Sequence, residues 1–296
     1  MEITIKHLRY FEALARHNHF GRAADDCGIS QPALSVQIKA LEDMVGTPLV
    51  ERSAKQLRLT GFGETFVARA REILQSMDEL GDLARASHSP LIGRLRFGII
   101  PTVAPYFLPR FIKCLSQDYA GLDLRPREAV TQKLIEGLLG GQLDTAIVAL
   151  PISEPTLHEE VLLDEEFVLV RQIEDQNKPV PNSQLLREMR LLLLEEGHCF
   201  RDQALSYCSM PSAVPRDLME GSSLSTLVQM VSAGIGVTLI PDMAVPIETR
   251  SAEVSIARLP PPRPSRTIGM VWRKTNPLAG QLKHIAQTVR ETCLPA

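Results

Sequence analysis

Cys199 and Cys208 stand nine positions apart in LLLLEEGHCFRDQALSYC, and Cys199 directly follows His198. The apolar run at 190–194 predicts a buried strand, and the residues after it predict a helix entered near Cys199. A thiol at a helix N-terminus lies at the positive end of the helix dipole, which favours the nucleophilic thiolate, and a neighbouring imidazolium adds to this. Reducing an O–O bond asks for more, because the bond must be polarised and the departing oxygen needs hydrogen-bond donors. Thr102, Thr131 and Arg266 are the candidates for that work. Thr102 follows a strand-like run at 93–100; Thr131 follows one at 122–128 and opens a helical pattern. Ligands of open α/β sheets bind beyond the carboxyl ends of the strands. Two hydroxyls and the His198–Cys199 pair are therefore predicted to meet in one cleft. Plainer readings stand beside these: Thr131 as a helix cap, Thr102 as a hydroxyl for a small organic effector, and Arg266 as the partner of a surface carboxylate, with Arg263 a rival for its role.

If 199–208 is one helix, it rises ~13.5 Å through about two and a half turns, which sets the two thiols apart on opposite faces. Disulfide-bonded residues have Cα atoms within ~7 Å, so joining these two requires the segment to unwind. On spacing alone they read equally well as unrelated, unreactive thiols. The remaining cysteines, Cys27, Cys114 and Cys293, fall in helical patterns and read as core thiols. An odd, sparse set of five is not a structural disulfide framework, and no spacing suggests a metal site.

The elements that must position these residues come from the wider pattern. A chain of 296 residues suits two or three domains, and 44% hydrophobic with 23% charged residues is a globular composition. No apolar run approaches the ~20 residues of a membrane span, and the start of the chain lacks the apolar core of a signal peptide. The cytoplasm is the expected location, with no membrane partner. From Leu91 onward, strand-like runs at 93–100, 122–128, 144–149, 166–171, 190–194, 235–240 and 266–273 alternate with helical patterns, which argues for parallel sheets with crossover helices.

Residues 1–60 differ. Leu8, Phe11 and Leu14 form one helical stripe, a second helix runs from Gly21 to Cys27 and stops at Gly28, and Ser30 caps a third. Leu34, Ile38, Leu41 and Val45 form the buried face of that third helix, which ends at Gly46. Its other face carries Pro32, Ser35, Val36 and Lys39, with Gln31 at its start: small or polar groups that admit base edges, and an amide able to pair with a base. Short strands near 49–52 and 57–59 make a wing with Arg52, Lys55 and Arg58 for phosphates or a minor groove. The net charge of −3 belongs to the whole chain and does not argue against a locally basic DNA-reading unit. Thr60 caps a long helix running to about Ser87, on which Phe62, Phe66, Ala70, Ile73, Met77, Leu80 and Ala84 recur at steps of three and four. Such a seam calls for a second copy in a coiled coil, or for packing on the protein's own body.

The run FGRAADDCGISQPALSVQIKALEDMVGTPLVER with LTGFGE resembles the N-terminal signature of the LysR-type transcriptional regulators, with Val50 where that family often has phenylalanine. The resemblance covers the whole chain and implies an α/β multidomain fold. A winged helix-turn-helix (1–60) and a linker helix (61–89) precede a periplasmic-binding-protein-like sensor (90–296), whose lobes are 91–163 with 268–296, and 164–267. It assigns DNA contacts to Gln31, Pro32, Ser35 and Arg52. Within the family, LLLLEEGHCFRDQALSYC, IIPTVAPYFLP and SRTIG are similar to the peroxide-sensing OxyR branch. By that resemblance Cys199 is the peroxidatic cysteine and Cys208 resolves its sulfenic acid as a disulfide. Thr102 and Thr131 hold hydrogen peroxide, and His198, Asp202 and Arg266 support it; Asp202 also suits the first turn of its helix on its own account. The implied partners are double-stranded promoter DNA, further copies in a homodimer or homotetramer, RNA polymerase, hydrogen peroxide and thiol reductants. No cofactor is implied. The competing readings are a regulator of the same fold that binds a metabolite between the lobes, and a thiol peroxidase enzyme, which the N-terminal 60 residues disfavour.

Overall fold

The computed structural model describes residues 2–52, 57–86, 92–208 and 219–293. The chain divides into two units, Met1–Ala84 and Arg85–Ala296. In the first, α1 (Ile5–His17), α2 (Phe20–Asp26) and α3 (Gln31–Val45) precede the hairpin β1 (Val50–Arg52) and β2 (Leu57–Leu59), and α4 (Gly61–Ala86) follows. Local chemistry sets these limits. Ser30 Oγ accepts the N–H of Ala33, and Gly46 ends α3 at φ 73°, a left-handed conformation that a Cβ disfavours. Thr60 Oγ1 accepts the N–H of Gly63 at 2.9 Å and caps α4. Leu34, Ile38 and Leu41 are fully buried against Phe11 and Leu14, whereas Val45 is only partly so. Along α4, Ala70 is buried and Phe66 packs on the same core, but Phe62, Ile73, Met77, Leu80 and Leu83 are exposed. The predicted seam therefore leaves a row of large apolar side chains in water.

The second unit opens with β3 (Gly93–Ile99), α5 (Ala104–Asp118), β4 (Leu122–Glu128), α6 (Thr131–Leu139) and β5 (Thr145–Leu150). A 16-residue strand, β6 (Leu157–Gln172), leads to α7 (Ser183–Glu188), β7 (Leu191–Leu194), α8 (Cys199–Tyr207) and β8 (Glu220–Gly221). The unit closes with α9 (Leu224–Ser232), β9 (Val237–Pro241), α10 (Val245–Glu248), β10 (Val254–Arg258), β11 (Ser265–Arg273), α11 (Ala279–Thr288) and a last turn, Val289–Cys293. The strands join in the order β4-β3-β5-β11-β6-β9-β7-β8, with β10 also on β6.

The expectation of parallel sheets is corrected here. β3 runs parallel to β4 and β5, and β7 to β8 and β9, but β11 is antiparallel to β5 and β6, as β6 is to β9 and β10. β6 begins nine residues before the predicted 166–171 run, and β8 and β10 were not expected. The upstream part of β6 pairs with β11; its downstream part pairs with β9 and β10. Accordingly two cores form, one around Phe97, Phe111, Leu134 and Ile285, the other around Phe167, Leu192, Phe200 and Val228. Phe111 sits at the centre of the first, its ring 4.9 Å from Phe97 and 5.6 Å from Phe107. Phe111→Ala is expected to cost this unit about 3–5 kcal/mol, read as a lowered urea midpoint.

Candidate functional site

Strand β7 ends at Leu194, and Gly197 turns the chain at φ 94°, a conformation that favours glycine, so that His198 becomes the N-cap residue of α8 and Cys199 its first residue. Arg201 fixes this corner from beneath. Its buried guanidinium donates to Leu194 O at 2.7 Å and pairs with Glu220 on β8 at 2.7 Å. Phe200, Ala204 and Leu205 anchor α8 in the second core, where Phe200 packs edge-on against Phe167 with ring centres 4.7 Å apart.

The two thiols belong to different environments. Cys199 is partly buried and packs against the first core, although α8 is otherwise seated in the second. Cys208 is 0% exposed in the second core, and its N–H donates to Ala204 O at 3.2 Å, so the helical winding persists up to it. Both are free thiols. Burial pushes the Cys208 thiol up to about 11, slightly countered by Arg187. Burial also holds the His198 imidazole below its usual value, against the opposing pull of Glu195 and Glu128. His198 is thus neutral at neutral pH, and the cationic histidine expected beside Cys199 is replaced by an uncharged ring that can accept or relay a proton.

Glu128, at the end of β4, acts electrostatically on His198 at the head of α8, and Thr131 opens α6 three residues after Glu128. The Thr131 hydroxyl is buried without a hydrogen-bond partner, and so is the Oε1 atom of Gln203, one turn into α8. Thr131 does not cap α6 through its side chain, because Val130 holds the N-cap position. Gln203 lies in the segment that carries the resemblance, but the sequence assigns it no role. A mid-helix glutamine reads as solvated until its carbonyl is found buried.

Thr102 is buried in the turn between β3 and α5 and is held by Arg266 from β11. The Arg266 Nη1–H donates to Thr102 Oγ1 at 2.8 Å, Nη2–H donates to Thr102 O at 3.0 Å, and Nε–H donates to Glu165 on β6 at 2.9 Å. Its guanidinium lies 5.3 Å from the centre of the Phe200 ring, beside Cys199. The Thr102 oxygen thus accepts from Arg266 and keeps its own hydrogen to donate. Burial raises Glu165, opposed chiefly by the Arg266 charge. The alternative of a surface pairing fits Arg263, which meets Glu166 at 3.2 Å, and not Arg266. Asp202 is the correction among the support residues: it is exposed in the first turn of α8 and faces none of these groups through a hydrogen bond. Its carboxylate complements the helix dipole there.

In the first unit, Gln31, Pro32, Val36 and Lys39 are exposed on α3 and Ser35 is half-exposed, opposite the buried row. Arg58 is exposed on β2, with backbone partner Glu51. The side chain of Arg52 and the tip with Lys55 lie outside the described residues. Another correction concerns Cys114 and Cys293, which are not separate core thiols but are joined as a disulfide; Cys27 is free, partly buried and packed on the first unit's core.

Residues 5–64 match the model of the bacterial regulatory helix-turn-helix protein, lysR family, and residues 88–294 match the LysR substrate binding domain. A probable hydrogen peroxide-inducible genes activator of Streptomyces viridosporus is 42% identical over 97% of this chain and 94% of its own. The DNA-binding transcriptional dual regulator OxyR of Escherichia coli is 40% identical over 97% and 95%. Among solved structures, a full-length OxyR variant from Pseudomonas aeruginosa aligns with TM-score 0.76 and 36% identity, covering 98% of this chain and 95% of that one. A hydrogen peroxide-bound OxyR mutant from Corynebacterium glutamicum aligns with TM-score 0.67 and 32% identity over 99% and 93%. The chain belongs to the LysR family of bacterial transcription regulators, within its OxyR branch.

Proposed function

We propose that this chain is a cytoplasmic transcription regulator that detects hydrogen peroxide through Cys199 and records it as a Cys199–Cys208 disulfide. The observations that support this reading are the neutral His198 directly before Cys199, the Thr102 hydroxyl held by Arg266, and two unpartnered buried polar atoms, one on Thr131 and one on Gln203 of α8. Peroxide has two O–H donors and two acceptor oxygens. The Gln203 carbonyl suits one O–H; the Thr102 and Thr131 hydroxyls suit the oxygens. The Cys199 thiolate attacks one oxygen, the O–O bond breaks, a sulfenic acid forms, and the departing hydroxide takes a proton to leave as water. Cys208, deprotonated once α8 unwinds, then attacks the Cys199 sulfur; the S–O bond breaks and a second water leaves. Two thiols and one peroxide thus give one disulfide and two waters.

The competing reading, a metabolite held between the cores, has its own cavity of about 560 Å³, lined by Tyr106, Arg110, Glu165, Glu166, Asp242 and Arg258 among others. Three of its carboxylates are already paired with arginines, Glu165 with Arg266, and Glu166 and Asp242 with Arg258. Those three carboxylates are thereby engaged within the protein, which favours the peroxide reading.

The division at 60 and 89, with sensor lobes 91–163 plus 268–296 and 164–267, belongs to this reading, supported by the two cores. The exposed row on α4 suits pairing with a second copy, and dimers of such dimers give the tetramer. Promoter DNA is read by Gln31, Pro32, Ser35 and Val36, with Lys39 and Arg52 on phosphates. RNA polymerase is the machinery addressed, and cellular dithiol reductants restore the thiols.

Three measurements test the reading. After stoichiometric peroxide, peptide mass spectrometry should find Cys199 joined to Cys208, and Cys199→Ser should abolish the link; two free thiols in the unsubstituted chain would overturn it. In the reduced protein near pH 7.5, iodoacetamide should modify Cys199 at least about tenfold faster than Cys208, whose ionisation burial withholds. Folding favours the neutral Cys208 thiol. That contribution is full below the ordinary thiol value and is lost as pH rises toward about 11, so protection should persist at pH 8. On DNA, Gln31→Ala should remove about 1–3 kcal/mol of discrimination at one base position, whereas Lys39→Ala should weaken all sequences alike and reduce the salt slope by about 1.

A further inference from the structure

We propose that Cys114 and Cys293 are a second, reversible redox couple, whose disulfide staples the C-terminal turn to α5 without change of fold and independently of Cys199 and Cys208. The two residues lie 179 positions apart in sequence but 6.0 Å apart at Cα, bonded, and within the span that a disulfide requires. Nothing has to unwind for this bond to form. The contrast with Cys199 and Cys208, which α8 holds apart, is therefore one of consequence: one couple alters the fold when it closes and the other preserves it.

The surroundings assign an order to the two sulfurs. Cys293 is wholly buried in the first core, whereas Cys114 is only partly buried and is the one a small molecule reaches. Thr292 Oγ1 lies 2.9 Å from Cys114 Sγ and donates its own hydrogen to Thr288 O at 2.7 Å, so in the dithiol state it is placed to accept the Cys114 S–H. The oxidant is a low-molecular-weight disulfide, RS–SR. The Cys114 thiolate attacks one of its sulfurs, the S–S bond breaks, and the released thiolate takes a proton to leave as RSH. Cys293 gives up its proton, attacks Cys114 Sγ and expels the second RSH. Two protein thiols lose two electrons and two protons to one RS–SR, and excess RSH reverses the exchange.

The staple closes a ring of contacts. In the same turn Arg290 pairs with Glu160 at 2.6 Å and donates to Val161 O at 2.8 Å, both on β6. α5, β6 and the turn Val289–Cys293 are thus fastened together in the core against which Cys199 packs. Any unwinding of α8 withdraws Cys199 from that core. A cross-link between residues so distant in sequence strongly restricts the unfolded chain and offsets that loss.

The test uses the full chain carrying Cys199→Ser and Cys208→Ser, reduced and then equilibrated in glutathione buffers of rising oxidised fraction. Peptide mapping should show the 114–293 link appearing as a single transition, and the unfolding midpoint of the sensor unit should rise by on the order of 10 °C. Cys114→Ala in that background should remove both changes. Two free thiols across the whole range, accumulation of Cys114–glutathione without the internal link, or a link that leaves the midpoint unmoved would each overturn the proposal. The same mapping on the unsubstituted chain serves if the substitutions impair folding. There, a link from Cys114 or Cys293 to Cys199 or Cys208 would overturn the independence, whatever peroxide does at Cys199.

Discussion

The sensor unit depends on one constraint: a single hydrogen-bonded helix keeps two sulfurs in two different cores. Cys199 opens α8 and leans on the first core; Cys208 follows its last turn and is sealed in the second. While the i to i−4 hydrogen bonds hold, the thiols are ~13.5 Å apart along the axis. The fold thereby keeps apart two groups whose union would otherwise be chemically simple. Any event that joins them must give up both the helix and the packing of Phe200, Ala204 and Leu205 beneath it. A local change of two atoms becomes a rearrangement of a lobe.

The polar groups around Thr102 are organised in layers. Arg266 never needs to touch a small ligand to matter. It fixes the Thr102 backbone and hydroxyl together, and Glu165 fixes Arg266 in turn while also accepting the N–H of Met243. Alongside, Tyr106 donates to Glu248 at 2.6 Å and Ser225 donates to the same carboxylate at 2.6 Å, so a second bridge runs between the cores. Burial and the Glu248 charge raise the Tyr106 hydroxyl far above its ordinary value, which keeps it a donor at every physiological pH. These fasteners hold the turn after β3 to β11 and β6, and α5 to α9 and α10, although the joined parts are distant in sequence.

What could be read from sequence follows from range. Ser30, Gly46 and Thr60 act on neighbouring residues, so the limits of α3 and the start of α4 were legible. The apolar stripe of α3 was legible for the same reason, and so were Thr102 and Thr131 at the ends of strands. The upstream part of β6, LHEEVLLDEE, was not: its charges mask a weak alternation, and only its long pairing with β11 makes it a strand. Strand direction escaped because pairing is a tertiary choice. Cys114 and Cys293 each sit in a helical pattern that local reading takes for core, and 179 residues separate them. The burial of the Gln203 carbonyl and the exposure of Asp202 were not legible, since the helix face that each occupies is decided by what lies across it.

The continuity of β6 has a mechanical consequence. One strand is hydrogen-bonded to β11 upstream of Phe167 and to β9 and β10 downstream, so neither half can slip by a residue without turning its side chains inside out. The cores can therefore neither drift apart nor shear along the strand. What remains is twisting and bending of β6, which passes unbroken from one core into the other.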